Sequence, residues 1–556
     1  MQITDTSDLW WKNAIIYCLD IETFLDSDGD GVGDLAGLAK RIDYLAELGV
    51  TCLWLMPFYP GPQRDDGYDV TDMYGVDARY GDHGHLVEVI RTAHDRGMRV
   101  IADLLVNHTS DKHPWFVSAR RSTSSPYRDY YVWREDEPPD TSDHVVFPDK
   151  EDGIWTLDEG SGQWYLHHFF HHQPDLNIAN PAVVDELLRV IGFWLELGLD
   201  GFRVDAVPFF LSDVETGDGA HAGDPHALLE RIRAFLGRRR GDAVMLGEVN
   251  LPYPDQVRYF GGDDGNQLHM MFDFAAMQAT YLSFARGDAG PLTAALAARP
   301  EIHPTCAWAT FLRNHDELTL DQLSPEERQE VFDAFGPDPE MQLYGRGLRR
   351  RLPTMFDGDP RRVRMAYSLL FSLPGSPTLF YGEEIGMGEN LDIPGRVAVR
   401  APMQWGPDRN GGFSTAPPRR LTRPIVGDGY GPEHVNAAEQ VQDADSLWSF
   451  MRALITVRRA CPEVGWGAHT VLDVGSSQVF AHRCDLEQAS LVALHNLSPD
   501  AVTATVPAIT DDDHDLVDAF THKRLGLSSE PAEVNLEGYG HTWFRVRRRD
   551  GLPQVP

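Results

Sequence analysis

The sequence predicts an α/β protein: a (β/α)8 TIM barrel with a subdomain inserted after the third strand and a C-terminal antiparallel β-domain. Three observations predict it. Short β-branched or aromatic runs alternate with segments of helical period, one long irregular stretch follows the third run, and beyond about residue 463 the pattern changes to period-2 runs.

The strand candidates, in order, are 14–24, 50–57, 98–108, 200–207, 244–250, 270–274, 308–316 and 377–384. Helical patterns lie between them. From Pro181 to Leu197, apolar residues fall at Val184, Leu187, Leu188, Ile191, Trp194 and Leu195, one face at a period of 3.6. Asn180 suits the cap of this helix, Pro181 its first position and Gly198 its end. Leu38, Ile42, Leu45 and Leu48 repeat the pattern ahead of Gly49. An open doubly wound sheet gives a similar string; the eightfold alternation argues for closure, with the working loops at the strand C-terminal ends. Residues 109–172, rich in aromatic, histidine, proline and aspartate residues, form the insertion, so the barrel takes 1–108 and 173–462. Residues 463–556 carry the period-2 runs 471–474, 490–497, 501–507 and 541–546, expected as a β-sandwich.

Composition bounds the function. The chain has 556 residues, 42% of them hydrophobic, enough for a sizeable core. Lysine and arginine number 49 against 85 acidic residues, a formal charge of −36. Such a surface repels phosphate backbones and anionic membranes, so neither nucleic acid nor membrane is expected as a partner. The five cysteines are scattered without paired spacing, and the N-terminal residues show no basic segment followed by an apolar run. A soluble cytoplasmic protein is the expectation, with homo-oligomerisation left open.

Polar residues stand where barrel strands should end. Asp103, Asn107 and His108 close the third, Arg203 and Asp205 the fourth, Glu248 follows the fifth, and Asn314, His315 and Asp316 follow the seventh. One carboxylate there reads as a cap or a salt-bridge partner; three converging on one rim, with two histidines, read as chemistry. Cleaving a sugar acetal with retention asks for that equipment. One carboxylate attacks the anomeric carbon, and a second, protonated, ~5–5.5 Å away delivers a proton to the leaving oxygen. Arg203, two residues before Asp205, shares its face on a strand and would hold it ionised.

The segments DLLVNH (103–108), QPDLN (173–177), GFRVDAV (201–207), GEVN (247–250) and FLRNHD (311–316) make the chain resemble the α-amylase clan of glycoside hydrolases along nearly its whole length. The resemblance implies Asp205 as nucleophile, Glu248 as general acid/base and Asp316 as transition-state stabiliser. His108, Gln173, Arg203, Asn250 and His315 would line the site of the transferred sugar. Within the clan the chain is most similar to trehalose synthases, then to oligo-1,6-glucosidases. RDDGYDVTDMYG (64–75) implies that Asp65 binds the non-reducing end of the glucose and that Tyr68 stacks on its apolar face, although Tyr68 alone reads equally as a core tyrosine. RAPMQW (400–405) implies that Arg400 closes that side into a pocket, favouring short α-glucosides. Residues 314–355, 372–390 and 536–546 resemble trehalose synthases in particular; without them, Arg349–Arg351 would pass as a solvated helix face. Two stretches depart from the pattern: 209–226 after the fourth strand, and YCLDIETF (17–24), which lacks the usual histidine and basic residue.

DSDGDGVGD (26–34) offers Asp26, Asp28, Asp30 and Asp34, with the Val32 carbonyl, around glycines that permit a tight wrap. That suits Ca²⁺, though a solvated acidic turn reads the same. The resemblance implies a structural Ca²⁺ there, with Mg²⁺ as the alternative, and a weaker second site at Asn107 and Asp175, where Ser212, beside Asp213, replaces the usual glutamate. No organic cofactor is expected. The expected activity is a double displacement through a β-glucosyl-Asp205 intermediate that interconverts maltose and trehalose. An α-glucosidase or trehalose hydrolase on short α-glucosides is the alternative, and a non-catalytic sugar-binding barrel the reading from another class.

Overall fold

The computed structural model describes residues 9–148, 150–209, 224–487, 489–510 and 514–547. Eight parallel strands close into a barrel: β1 (Ile16–Leu19), β2 (Cys52–Leu55), β3 (Arg99–Leu104), β4 (Gly201–Val204), β5 (Val244–Gly247), β6 (Met270–Phe272), β7 (Ala307–Phe311) and β8 (Ser376–Phe380). Each pairs with its neighbours in the chain, and β1 meets β8 with Ile16 opposite Thr378. All eight expected strands are present, trimmed to three to six residues, because the polar tails of the predicted runs belong to the rim loops. Apart from half-buried Arg99, every strand residue is buried, as expected where a barrel interior faces one side and helices the other. Gly201 shows how tightly two strands approach: a Cβ there would lie 2.2 Å from the Val244 carbonyl oxygen, and its φ of +148° suits only glycine.

The helix ends follow the sequence signals. Leu35–Leu48 starts on the Asp34 carboxylate, which accepts from Gly37 N at 2.6 Å, and stops at Gly49 with φ +102°. Pro181–Leu197 starts on Asn180, which accepts from Ala182 N at 2.9 Å, and stops at Gly198 with φ +115°.

Between β3 and β4 the chain builds a three-stranded antiparallel sheet from Trp133–Arg134, Gln163–Leu166 and Trp155–Asp158. A second small sheet, unforeseen in the sequence, joins Leu318–Thr319, Gly347–Leu348 and Gln342–Leu343 after β7. The two excursions meet: Arg346 donates to the Val146 carbonyl at 2.7 Å, and the Phe147 and Tyr344 rings lie 5.3 Å apart. At the C-terminal end, a six-stranded and a two-stranded antiparallel sheet enclose a separate core that includes Val492, Leu494, Ala504, Val534 and Phe544. The strand expected at 471–474 is Ala468–Val471. Its partner Val479–Leu486 escaped the pattern because His482 and Arg483 interrupt the apolar run.

Candidate active site

One arginine organises the rim. Arg203, 1% exposed on β4, donates to Asp103 Oδ1 at 2.6 Å and to Asp205 Oδ1, and forms an ion pair with Glu248 Oε2 at 2.6 Å. NH1 serves Asp103 and Asp205, while NH2 serves Glu248, so the two candidate catalytic carboxyls sit side by side on one guanidinium fork. Asp103 is further fixed by Trp54 Nε1 at 2.7 Å. Burial pushes Asp103 up to about 6 against the opposing pull of Arg203. Immediately after Asp205, Ala206 holds a φ of +52°, a left-handed conformation that costs on the order of 1–3 kcal/mol for a residue with a Cβ. That turn aims the Ala206 N–H at Glu248 Oε2, 3.3 Å away.

The electrostatics separate the carboxyls. Burial, with Asp205 and Asp316 adding to it, raises Glu248 to about 7 despite Arg203, so it retains a proton near neutrality. Burial also opposes ionisation of Asp316, but Arg396, His315 and Arg400 override it and hold Asp316 well below the ordinary carboxylate range. Its Oδ1 accepts from Arg400 NH2 at 2.9 Å and pairs ionically with Arg396 NH1 at 2.8 Å, and its Oδ2 lies 3.0 Å from His315 Nε2. Burial depresses His315 to about 4, so the imidazole is neutral; its Nε2 is 2.7 Å from the Tyr68 hydroxyl.

These groups face a cavity of about 460 Å³, within the range of small-ligand pockets. Asp205, Glu248, Asp316, Asp65, Tyr68, His108 and Asn250 line it directly. Phe147, Phe169, Phe209 and Leu251 supply apolar walls. Gln173, Arg203 and His315 stand one layer behind; Gln173 Nε2 donates to Asp65 Oδ2 at 2.9 Å. Asn250 is held by both oxygens of Asp321, at 3.0 and 2.9 Å.

Arg400 is placed differently from the expectation. It is fully buried, donates to the His315 carbonyl at 2.7 Å, and supports Asp316 from behind. Arg396 and Arg346 are the arginines on the cavity wall among the described residues, and Arg396 bridges Asp65 Oδ1 at 2.6 Å and Asp316 Oδ1 at 2.8 Å. Sequence reasoning missed it, although GRVAVR (395–400) carries two arginines one turn apart. The run Arg349–Arg351 is no solvated face either. Arg349 donates to the Ile393 and Leu391 carbonyls at 2.7 and 3.0 Å, and Arg351 to Val399 at 2.7 Å, tethering the segment that carries Arg396.

At the acidic turn, Asp26, Asp28 and Asp34 bring ligand oxygens within 4.8 Å of one another. Against a hydrogen bond from the Asp30 amide, burial and the charges of Asp30, Asp26 and Asp34 push Asp28 upward. A hard oxygen-seeking cation suits this donor set because it would relieve that repulsion. Asp30 is not part of the trio: its exposed carboxylate accepts from the Val32 amide at 2.8 Å. The second expected set is brought together but satisfied internally. Asn107 Nδ2 donates to Asp175 Oδ1 at 3.2 Å and His168 pairs with Asp175 Oδ2, so both carboxylate oxygens are taken by protein donors. Ser212 and Asp213 lie outside the described residues, as does most of 209–226.

A closed barrel whose rim gathers two carboxyls on one guanidinium, with Glu248 protonated near neutrality, Asp316 held ionised and a small-ligand pocket between them, defines a class, the (β/α)8 enzymes that act on glycosidic bonds. Within it the chain belongs to the alpha-amylase family: the family profile described as "Alpha amylase, catalytic domain" matches residues 19–329 and 349–467. A trehalose synthase/amylase of Mycobacterium tuberculosis is 40% identical over 554 residues, covering 98% of this chain and 92% of that protein. An oligo-1,6-glucosidase of Heyndrickxia coagulans is 30% identical, covering 90% and 94%. Among solved structures, an alpha-glucosyl transfer enzyme superposes with a TM-score of 0.77 at 26% identity, covering 97% of this chain and 99% of that one.

Proposed function

We propose that the chain is a retaining α-glucosyl transferase of the trehalose synthase type, interconverting maltose and trehalose. The observation that carries it is the pair Asp205 and Glu248 on the Arg203 fork, in a pocket whose wall carries the Asp65–Arg396–Asp316 bridge. A closed end of that kind admits one terminal glucose. Asp205 attacks the anomeric carbon while Glu248 passes its proton to the glycosidic oxygen, giving a β-glucosyl ester and a free sugar. If that sugar turns in place, its anomeric hydroxyl attacks the ester, Glu248 takes the hydroxyl proton back, and an α-linked isomer leaves. Asp316, held ionised, stabilises the positive charge that develops on the ring. The mycobacterial relative carries this activity in its name, which supports the reading.

Incubation of the purified protein with maltose and, separately, with trehalose tests it. Appearance of the other disaccharide is the expected result; glucose alone from both would favour an α-glucosidase, and inertness toward both would refute either. Arg396→Ala removes the bridge from Asp65 to Asp316 and widens the pocket. We expect kcat/KM to fall about 10–100-fold and the share of free glucose among products to rise, measured by chromatography of both reactions.

We propose that Asp26, Asp28 and Asp34 hold a structural Ca²⁺. It takes no part in the chemistry, and Asp34 also caps helix Leu35–Leu48 behind the barrel rim. Chelation should lower the midpoint of thermal unfolding by several degrees while leaving the pH profile of kcat unchanged; an unaltered midpoint in calorimetry would remove the cation. The five cysteines are all unpaired and buried, which supports a reducing, cytoplasmic setting. Among the described residues no helix is long and apolar enough to cross a membrane.

A further inference from the structure

Behind Arg400 lies a group of side chains that the proposed chemistry does not use. Asp20 and Glu22, at the end of β1, converge with Asp66 so that their carboxylate oxygens lie within 4.8 Å of one another. Both belong to YCLDIETF (17–24), the stretch that lacks the histidine and basic residue the resemblance leads one to expect. Three carboxylates this close, two of them buried and Asp66 nearly so, repel strongly unless a cation sits among them. Here the cation is Arg423, more than nine-tenths buried. Its NH1 donates to Asp20 Oδ2 at 3.1 Å and to the Arg400 carbonyl at 3.0 Å; its NH2 donates to Glu22 Oε2 at 3.1 Å and to Asp66 Oδ1. The other oxygen of Asp66 accepts from Arg400 NH1, and Arg400 NH2 reaches Asp316 Oδ1 at 2.9 Å.

We infer that Arg423 is a positioning residue for the reaction: by balancing Asp20, Glu22 and Asp66 and pinning the Arg400 backbone, it keeps the Arg400 guanidinium on Asp316. The inference rests on the proposed role of Asp316. Without Arg423, the ion pairs left to the three carboxylates among the described residues are Arg400 on Asp66 and Arg79 on Glu22 at 3.4 Å, with Arg396 acting on Asp66 from further away. The Arg400 guanidinium is then drawn toward Asp20 and Asp66, and Asp316 loses one of its two arginine partners while Arg396 stays. Charge at the transition state is then less well met, whereas the walls that bind the ground-state sugar, Tyr68, Asp65 and His108, are untouched. The loss should therefore fall on kcat rather than KM.

The test uses an aryl α-glucoside, a donor that both a transferase and a hydrolase would accept. An inert wild-type protein would count against the proposed function; the inference is read only from differences between variants. Arg423→Met, which keeps much of the volume and removes the charge, should lower kcat about tenfold or more with KM changed less than about threefold. Adding Asp20→Asn and Glu22→Gln to Arg423→Met leaves Asp66 as the one charged member of the trio, with Arg400 shared between it and Asp316, and should return kcat to within about threefold of wild type. A role in packing alone predicts no such return. A folded Arg423→Met with wild-type kcat, or a folded triple variant as slow as the single one, would overturn the inference. Should Arg423→Met not fold, the triple variant decides alone: near-wild-type kcat supports the charge-balancing role, and a folded protein about tenfold slower or worse overturns it.

Discussion

Asp205→Ala should lower kcat for maltose by about four orders of magnitude or more while leaving the far-UV spectrum and unfolding midpoint close to wild type. The size follows from chemistry: with no carboxylate to form the ester, the two-step route is closed. The intact fold follows from the Arg203 fork, which keeps Asp103 at 2.6 Å and Glu248 at 2.6 Å and so is not left as an unpaired buried cation. Addition of azide gives a sharper readout than loss alone. A small anion entering the space vacated on the Asp205 side should trap the glucosyl group as the β-azide, the product of a single inversion. Retention of activity within about tenfold, or an α-azide from this variant, would move the nucleophile elsewhere.

The second large effect concerns Glu248. Its carboxyl is raised to about 7, so the protonated fraction falls as pH rises through that value. The first step needs the proton; kcat/KM should therefore be lost on the alkaline side with an apparent pKa near 7, and not on the acid side from this group. Asp316, held well below the ordinary range by its arginine neighbours, contributes no limb near neutrality. Glu248→Gln should remove the alkaline limb and cut kcat for maltose by about 10²–10⁴-fold, with a much smaller loss on an aryl glucoside whose leaving group needs little protonation. A pH profile of kcat/KM on both substrates checks this, and an alkaline limb surviving in Glu248→Gln would assign the proton to another group. A quarter of the Glu248 side chain still faces the cavity, so a bound sugar that excludes water should raise its pKa further and extend the kcat profile to higher pH.

The barrel was legible because its signals are local. A buried parallel strand is a short apolar run, and a helix start needs one side-chain acceptor such as Asn180 or Asp34. The C-terminal sheets were only partly legible, since Val479–Leu486 buries His482 against the Ser372 hydroxyl at 3.0 Å, and a buried polar residue with a distant partner breaks the alternation that reveals a strand. The small sheet after β7 rests on two-residue strands, too short for any period to show.

By itself the sequence determined which carboxyls reach the rim, because strand direction and the two-residue repeat place Arg203 and Asp205 together wherever the barrel closes. Only the tertiary structure decided which arginine faces the sugar and which stands behind it. Arg396 and Arg400 belong to one loop, and the choice between them is made by Arg349, Arg351 and Arg423, which grip that loop from positions 23 to 48 residues away. Charge balance acts through space rather than along the chain. Strand one read alone shows only two acids, Asp20 and Glu22; the cation that makes them tolerable sits some 400 residues later, and packing alone brings the three together.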